Sequence, residues 1–291
     1  MTQLTLFKIQ PDQVVNVAKV PQRSPFRYPG GKTWLVPWIR RWMSSIKAKP
    51  SEFIEPFAGG GIVSLTVAFE GYADHVTLIE LDDQVAAVWK TILGRNGKWL
   101  ANRISSFELT YESAREELSK RPKSISQKAF QTLLKNRIHH GGILANGSGM
   151  LKRGENGKGI LSRWYPSTLK KRILAIVSIK DKLTFIEGDG IKTIRHNARR
   201  DDVVFFIDPP YTAGGKRAGK RLYKYSEIDH EDLFRIADSI KGDFLLTYDN
   251  APEVHSLARK FGFDTRVISM KNTHHATMKE LLIGRNLTWV D

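Results

Sequence analysis

Short apolar runs alternate with amphipathic stretches in two separate parts of this 291-residue chain. Between residues 25 and 90, "EFIEPF" and "HVTLIEL" read as strands, and "TWLVPWIRRWMSSI" and "GIVSLTVAFEG" carry helical periodicity. Between 181 and 291, "KLTFIEGD", "DVVFFIDPP", "GDFLLTYD", "DTRVISM" and "KELLIGR" are strand-like, with helices predicted in "DHEDLFRIADSI" and "PEVHSLARKF". This alternation predicts an α/β fold, a mostly parallel sheet with helices on both faces, whose ligands bind beyond the carboxyl ends of the strands. Residues 91–180 break the pattern: "TYESAREELSKR", "SQKAFQTLLKNRI" and "SRWYPSTLKKRILAIVSI" are helical, and "HHGGILANGSGMLKRGENGKG" is a glycine-rich loop. The pattern divides the chain into an arm (1–24), a catalytic domain in two pieces (25–90 and 181–291) and a mainly helical insertion (91–180). There is no repeat at solenoid periods.

Charge sharpens the division. Of the net +16, residues 91–180 carry +13, from 18 Lys and Arg against 5 Asp and Glu. A surplus confined to one segment points to a polyanionic partner for that segment. No run of about 18 apolar residues is present, which excludes a membrane-spanning helix. The first 23 residues lack an apolar stretch and a small-residue cleavage site, so no signal peptide is expected and the cytoplasm is the expected compartment. With no cysteine, disulfides and thiol catalysis are excluded.

The candidate chemistry gathers at predicted strand ends. Gly59-Gly60-Gly61 follows "EFIEPFA" and opens a helix, where glycines let a ligand approach backbone N–H groups. Ser64 stands where a third fingerprint glycine would be, which disfavours a dinucleotide site. Gly30-Gly31-Lys32-Thr33 lacks the first glycine of a P-loop. Glu80 closes the next strand 19 residues beyond Gly61, the distance expected of a carboxylate that accepts from a ribose hydroxyl. Asp208-Pro209-Pro210-Tyr211 follows the apolar run "VVFFI". Two prolines there suit a plain loop, and equally a rigid display of acceptors. His139-His140 and His274-His275 are adjacent pairs whose side chains diverge, and they read as structural or as facing a polyanionic partner.

Taken in order, "PFRYPGGK" (25–32), "FIEPFAGGG" (53–61), "LIELDD" (78–83), the basic insertion, "FIEGD" (185–189) and "DPPY" (208–211) resemble the Dam-like, alpha-group DNA adenine-N6 methyltransferases. The resemblance covers about residues 25–90 and 180–285. It implies a Rossmann-like methyltransferase fold, a seven-stranded sheet with one reversed strand, and S-adenosylmethionine as cofactor. It would place Tyr28 and Lys32 near the methionine end of the cofactor, and Glu55, Phe57, Ala58 and Gly59 along its methionine and adenosine. Glu80 would sit at the ribose, Asp189 near the adenine ring and Asp208 by the methyl. Tyr28 stands where Dam has tryptophan, and many relatives carry aspartate at the place of Glu80. Asp208 and the Pro209 carbonyl would accept both hydrogens of the target amino group, Pro210 would hold them rigid, and Tyr211 would stack on an extruded base.

The insertion becomes a target-recognition domain for double-stranded DNA, with Lys152, Arg153, Lys158, Arg163, Lys170, Lys171 and Arg172 as contacts. A second basic run, Lys216, Arg217, Lys220, Arg221 and Lys224, would clamp the backbone beside the target. No metal is implied. A monomer is expected, and a restriction endonuclease is the cognate partner such an enzyme can have. Alternatives are N4-cytosine methylation, an RNA adenine methyltransferase and a catalytically silent DNA-binding relative.

Overall fold

In a computed structural model, which describes residues 10–27, 30–145, 147–210, 228–271 and 277–291, the predicted strands assemble into one seven-stranded sheet of order β3-β2-β1-β4-β5-β7-β6. The strands are β1 (Glu52–Glu55), β2 (His75–Glu80), β3 (Leu183–Glu187), β4 (Val203–Ile207), β5 (Asp243–Asp249), β6 (Asp264–Lys271) and β7 (Thr277–Gly284). The first five pair in parallel, while β7 runs antiparallel to both β5 and β6. This is the Rossmann-like methyltransferase arrangement, with the single reversed strand that the motifs implied. The order reverses between β1 and β4, so the loops leaving these two neighbours diverge and open a crevice at their carboxyl ends.

Side-chain alternation sorts the sheet into two apolar layers. In β4, which is buried at all five positions, Val204 and Phe206 face one layer, and Val203, Phe205 and Ile207 face the other. The second layer receives helices α8 (Gly190–Asn197), α9 (His230–Asp238) and α10 (Pro252–Lys260) through Ile194, Phe234 and Val254. The first layer receives α1 (Val36–Ser45) and α2 (Ile62–Glu70) through Trp38, Trp42 and Val63.

Between β2 and β3 the chain is helical: α3 (Asp83–Leu93), α4 (Gly97–Ser106), α5 (Tyr111–Ser119), α6 (Ile125–Ile138) and α7 (Pro166–Ser178). Local caps fix several of these starts. Asp82 accepts from the Gln84 and Val85 N–H groups ahead of α3, Thr110 and Ser113 form a reciprocal capping box on α5, and Pro166 opens α7. These helices do not build a core of their own. Leu100, Phe130, Leu133 and Ile173 belong to the same buried cluster as Trp38, Phe53 and Phe206 of the sheet layer. Among the described residues, no helix is long and apolar enough to cross a membrane.

The β1–α2 turn is held by its glycines. Gly61, at φ +62°, has no room for a side chain: a Cβ would lie 2.7 Å from Trp89 and 2.9 Å from Leu78. Gly71, which ends α2 at φ +71°, faces open space. Gly61→Ala is therefore expected to destabilise by roughly 2–4 kcal/mol, combining the left-handed penalty with overpacking. Gly71→Ala should cost only about 1 kcal/mol, since the backbone term acts alone. Urea unfolding of both variants checks this, and equal losses would show that Trp89 yields freely.

Candidate active site

Four carboxylates converge where the parallel strands end. Glu55, the last residue of β1, is 4% exposed and accepts a 2.9 Å bond from the Ser64 N–H in the first turn of α2. Burial pushes its pKa up to about 8, with Asp208 and Glu80 adding to the rise. Glu80 closes β2 and binds the glycine turn directly: its Oε2 accepts from Gly59 N–H at 2.9 Å, and its Oε1 from Leu81 and Asp82 N–H groups at 2.8 and 2.9 Å. Burial raises its pKa as well, against these three donors. Trp89 completes the turn by donating its indole N–H to the Gly59 carbonyl at 2.9 Å.

Asp208 follows β4 directly. Its Oδ1 accepts from the Thr247 hydroxyl at 2.7 Å and lies 3.0 Å from Lys32 Nζ. Lys32 is 5% exposed, and the same ammonium is 2.8 Å from Oε1 of Glu280, itself 4% exposed, on β7. Burial raises the Asp208 pKa, Lys32 opposes that rise, and Glu280 adds to it. Pro209 is buried and Pro210 is partly buried.

Of the residues predicted from sequence, Glu55, Phe57, Ala58, Gly59, Glu80, Asp189 and Asp208 all lie at the strand ends or in the loops leaving them. Ala58 is buried and donates its N–H to the Ile79 carbonyl at 2.9 Å, while Phe57 packs against the second layer. Two residues have occupations the motifs did not disclose. Asp189 caps α8, accepting from the Ile191 N–H at 2.9 Å. Lys32 is ion-paired to two acids rather than reaching out alone. Glycine at 190 is required because a Cβ there would come within 2.2 Å of the Pro56 carbonyl, so the β3 and β1 loops touch. Tyr28 and Tyr211, and the basic run Lys216, Arg217, Lys220, Arg221 and Lys224, lie outside the described residues.

The basic residues of the helical segment divide. Lys152, Arg153, Lys158 and Lys171 are exposed. Lys170, Arg163 and Arg172 are partly buried, and Arg172 donates to the Ser24 carbonyl at 3.0 Å. Sequence reading missed Asn136 and Arg137, near the end of α6, which grip the segment before Tyr28. Asn136 exchanges bonds of 2.8 and 3.0 Å with the Arg27 backbone, and Arg137 donates to the Pro25 carbonyl at 2.5 Å. Arg137 is 4% exposed, and burial, followed by Arg172, Arg27 and Arg163, pulls its pKa down to about 9. Four guanidinium groups thus gather beside the first motif. Thr247 and Glu280 were also missed; the only signal was polar residues in otherwise apolar strands.

The chemistry of the crevice fits a cationic cofactor. Lys32 is shared by Asp208 and Glu280, and Glu55 and Glu80 add further acid to a buried place. A sulfonium and an ammonium brought to this crevice would relieve that surplus. The strand order, the reversed β7 and a glycine turn closed by an acid from β2 define an S-adenosylmethionine-dependent methyltransferase. Residues 28–120 match the model of the D12 class N6 adenine-specific DNA methyltransferases, which bears out the resemblance drawn from the motifs. No curated protein matches the chain.

Solved structures similar to this one include PH1948 of Pyrococcus horikoshii, 13% identical over 92% of each chain with a TM-score of 0.40. A precorrin-6y C5,15-methyltransferase from Geobacter metallireducens is 10% identical over 84% of each chain, with a TM-score of 0.33. The rRNA methyltransferase AviRa from Streptomyces viridochromogenes is 12% identical over 86% of this chain and 84% of its own, with a TM-score of 0.34. Likeness at this level carries no argument about substrate.

The raised Glu55 pKa has a defined effect on stability. Its folded value lies above the unfolded one of 4.5, so its contribution is complete below about pH 4.5 and is lost as pH rises through about 8. The cofactor-free protein should weaken across this window by up to a few kcal/mol more than Glu55→Gln does. Denaturant midpoints at pH 5, 7 and 9 read the difference; parallel curves for the two proteins would show that Glu55 ionises freely.

Proposed function

We propose that the protein methylates the exocyclic N6 amino group of adenine at a specific site in double-stranded DNA, on a base extruded from the helix. The observation that carries this reading is Asp208, held by Lys32 and Thr247 at the end of β4 and followed by two prolines, next to the acid-lined glycine turn. The family match supports adenine as the base.

An adenine amino group is a weak nucleophile because its lone pair is delocalised into the ring. Asp208 and the Pro209 carbonyl accept its two N–H bonds, favour a pyramidal nitrogen and aim the lone pair at the donor. The chain's contribution is positioning and electrostatics. When bound, S-adenosylmethionine supplies an electrophilic methyl group on sulfur. Glu55 and Glu80 bind its cationic and ribose ends, with Phe57, Ala58, Gly59 and Asp189 around the adenosine. Tyr211 stacks on the extruded base, by the family resemblance. The exposed Lys152, Arg153, Lys158 and Lys171 contact phosphates, and the partly buried Arg163 joins them. The protein acts as a monomer.

Mass spectrometry of nucleosides after reaction with labelled S-adenosylmethionine tests the reading. N6-methyladenine from duplex DNA is expected. N4-methylcytosine, product on RNA alone, or no product would each overturn it. Asp208→Ala should lower transfer by on the order of 10²-fold or more while duplex DNA still binds. Retention of most activity would remove Asp208 from its role.

Charge reversal at Lys152, Lys158 and Lys171 should weaken DNA binding and flatten its salt dependence, by about 0.9 in log–log slope for each phosphate that is no longer neutralised. An unchanged slope would mean that this surface faces away from DNA.

A further inference from the structure

We propose that Glu280 and Thr247 are positioning residues for Asp208: Glu280 anchors the Lys32 ammonium from the far side, Thr247 fixes Oδ1, and together they present Oδ2 of Asp208 to the amino group being methylated. The inference rests on the methyl-transfer reading, which it deepens. It also moves Lys32 from cofactor binding to the support of Asp208.

The geometry is specific. Both contacts to Asp208 fall on one oxygen, from the Thr247 hydroxyl at 2.7 Å and the Lys32 ammonium at 3.0 Å. Lys32 is in turn 2.8 Å from Glu280 Oε1. Thr247 is fully buried, and Lys32 and Glu280 are at least 95% buried. An ammonium shared between two carboxylates cannot fully neutralise either. Asp208 therefore keeps the negative character that an acceptor for an amino group needs, while its carboxylate plane is fixed. Among the described residues, the charged and titratable groups facing this centre are Lys32 from the 3-10 turn at 32–35, Glu55 from β1, Tyr248 from β5 and Glu280 from β7, with His230 of α9 against Tyr248. The Tyr248 phenol is pushed up by its burial, with Asp208 adding to the rise, so it is neutral throughout the working range.

Isosteric variants separate this role from a merely structural one. Glu280 raises the Asp208 pKa and Thr247 lowers it, so the two substitutions act in opposite directions. In free protein carrying 13C-labelled aspartate, with the signal assigned through Asp208→Asn, Glu280→Gln should move the Asp208 titration to lower pH and Thr247→Val to higher pH. The acid limb of the kcat profile should follow each shift. kcat should fall roughly 10- to 100-fold in Glu280→Gln, with S-adenosylmethionine affinity by calorimetry changed less than about twofold.

Titrations that stay put, or that shift the same way in both variants, would overturn the inference. So would a cofactor affinity that falls in step with kcat, which would return Lys32 to the cofactor. The titration is read without substrate, so a wild-type protein that makes no N6-methyladenine tells against the methyl-transfer reading alone, and the Asp208 shifts still decide how that carboxylate is held.

Discussion

A buried ammonium joins three places that are remote in sequence. Lys32 Nζ reaches Asp208 at 3.0 Å and Glu280 at 2.8 Å, linking the turn before α1, the end of β4 and the reversed strand β7. Removing one partner of such a pair leaves an uncompensated charge in a place of low polarity, at a typical cost of about 3–5 kcal/mol. The reversed strand makes the contact available. Because β7 runs against β5, residues early in β7 lie at the carboxyl end of β5: Glu280 pairs with Asp249, the last residue of that strand, and Leu282 with Thr247. A parallel strand in the same place would bring its own carboxyl end there instead. The antiparallel element is therefore part of the chemistry of the crevice as well as of the fold.

The helical segment between β2 and β3 bears on the same centre from the other side. Its apolar residues share one core with the sheet layer, and its α6 holds residues 25–27 through Asn136 and Arg137. The chain then runs through the first motif to Lys32. The helices that carry exposed lysines and the loop that leads to the buried one are thus locked together. Burial lowers the proton affinity of Arg137, with Arg172, Arg27 and Arg163 adding to the fall, and burial followed by Arg163 lowers that of Arg27. Concentrating like charge costs free energy, which the backbone carbonyls of Pro25 and Ser24 offset in part by accepting from Arg137 and Arg172.

Alternation of apolar runs with amphipathic stretches made the parallel sheet legible, and the glycine turn, Glu80 and Asp208 were legible from spacing and position. What was not legible is partnership. "GGKTW" shows a lysine in a turn, and nothing within it announces an acid 248 residues away. Asp189 reads as an acid near the adenine with loop capping as the plainer alternative, and Glu80 as a ribose-binding acid with a solvent-facing loop acid as its alternative. In the fold Asp189 caps α8, and Glu80 accepts from three backbone N–H groups, including the glycine turn itself. Glu280 sits in "TMKELLIG", where alternation gives a strand but does not say whether the acid faces water or a buried lysine. The basic run Lys170-Lys171-Arg172 looked uniform, yet packing splits it into exposed Lys171 and an arginine bonded to Ser24.

Two demands meet at the end of β4 and pull in opposite directions. The site must be dry, because hydrogen bonds to a developing charge are strongest where water is excluded. Dryness drives carboxyl groups towards protonation, as the raised values of Glu55, Glu80 and Asp208 record. On the proposed reading, a protonated Asp208 would offer a donor where the amino hydrogens need an acceptor. A dedicated lysine would keep it ionised but would take the charge that makes it a good acceptor. Sharing one lysine between Asp208 and Glu280 lies between these extremes, and on the proposed reading a cationic methyl donor held by Glu55 and Glu80 would add its positive charge only when bound. On this argument the acidity of the crevice and the cationic nature of the donor are one design: the acids are poorly stabilised alone, and binding the donor supplies the charge they lack.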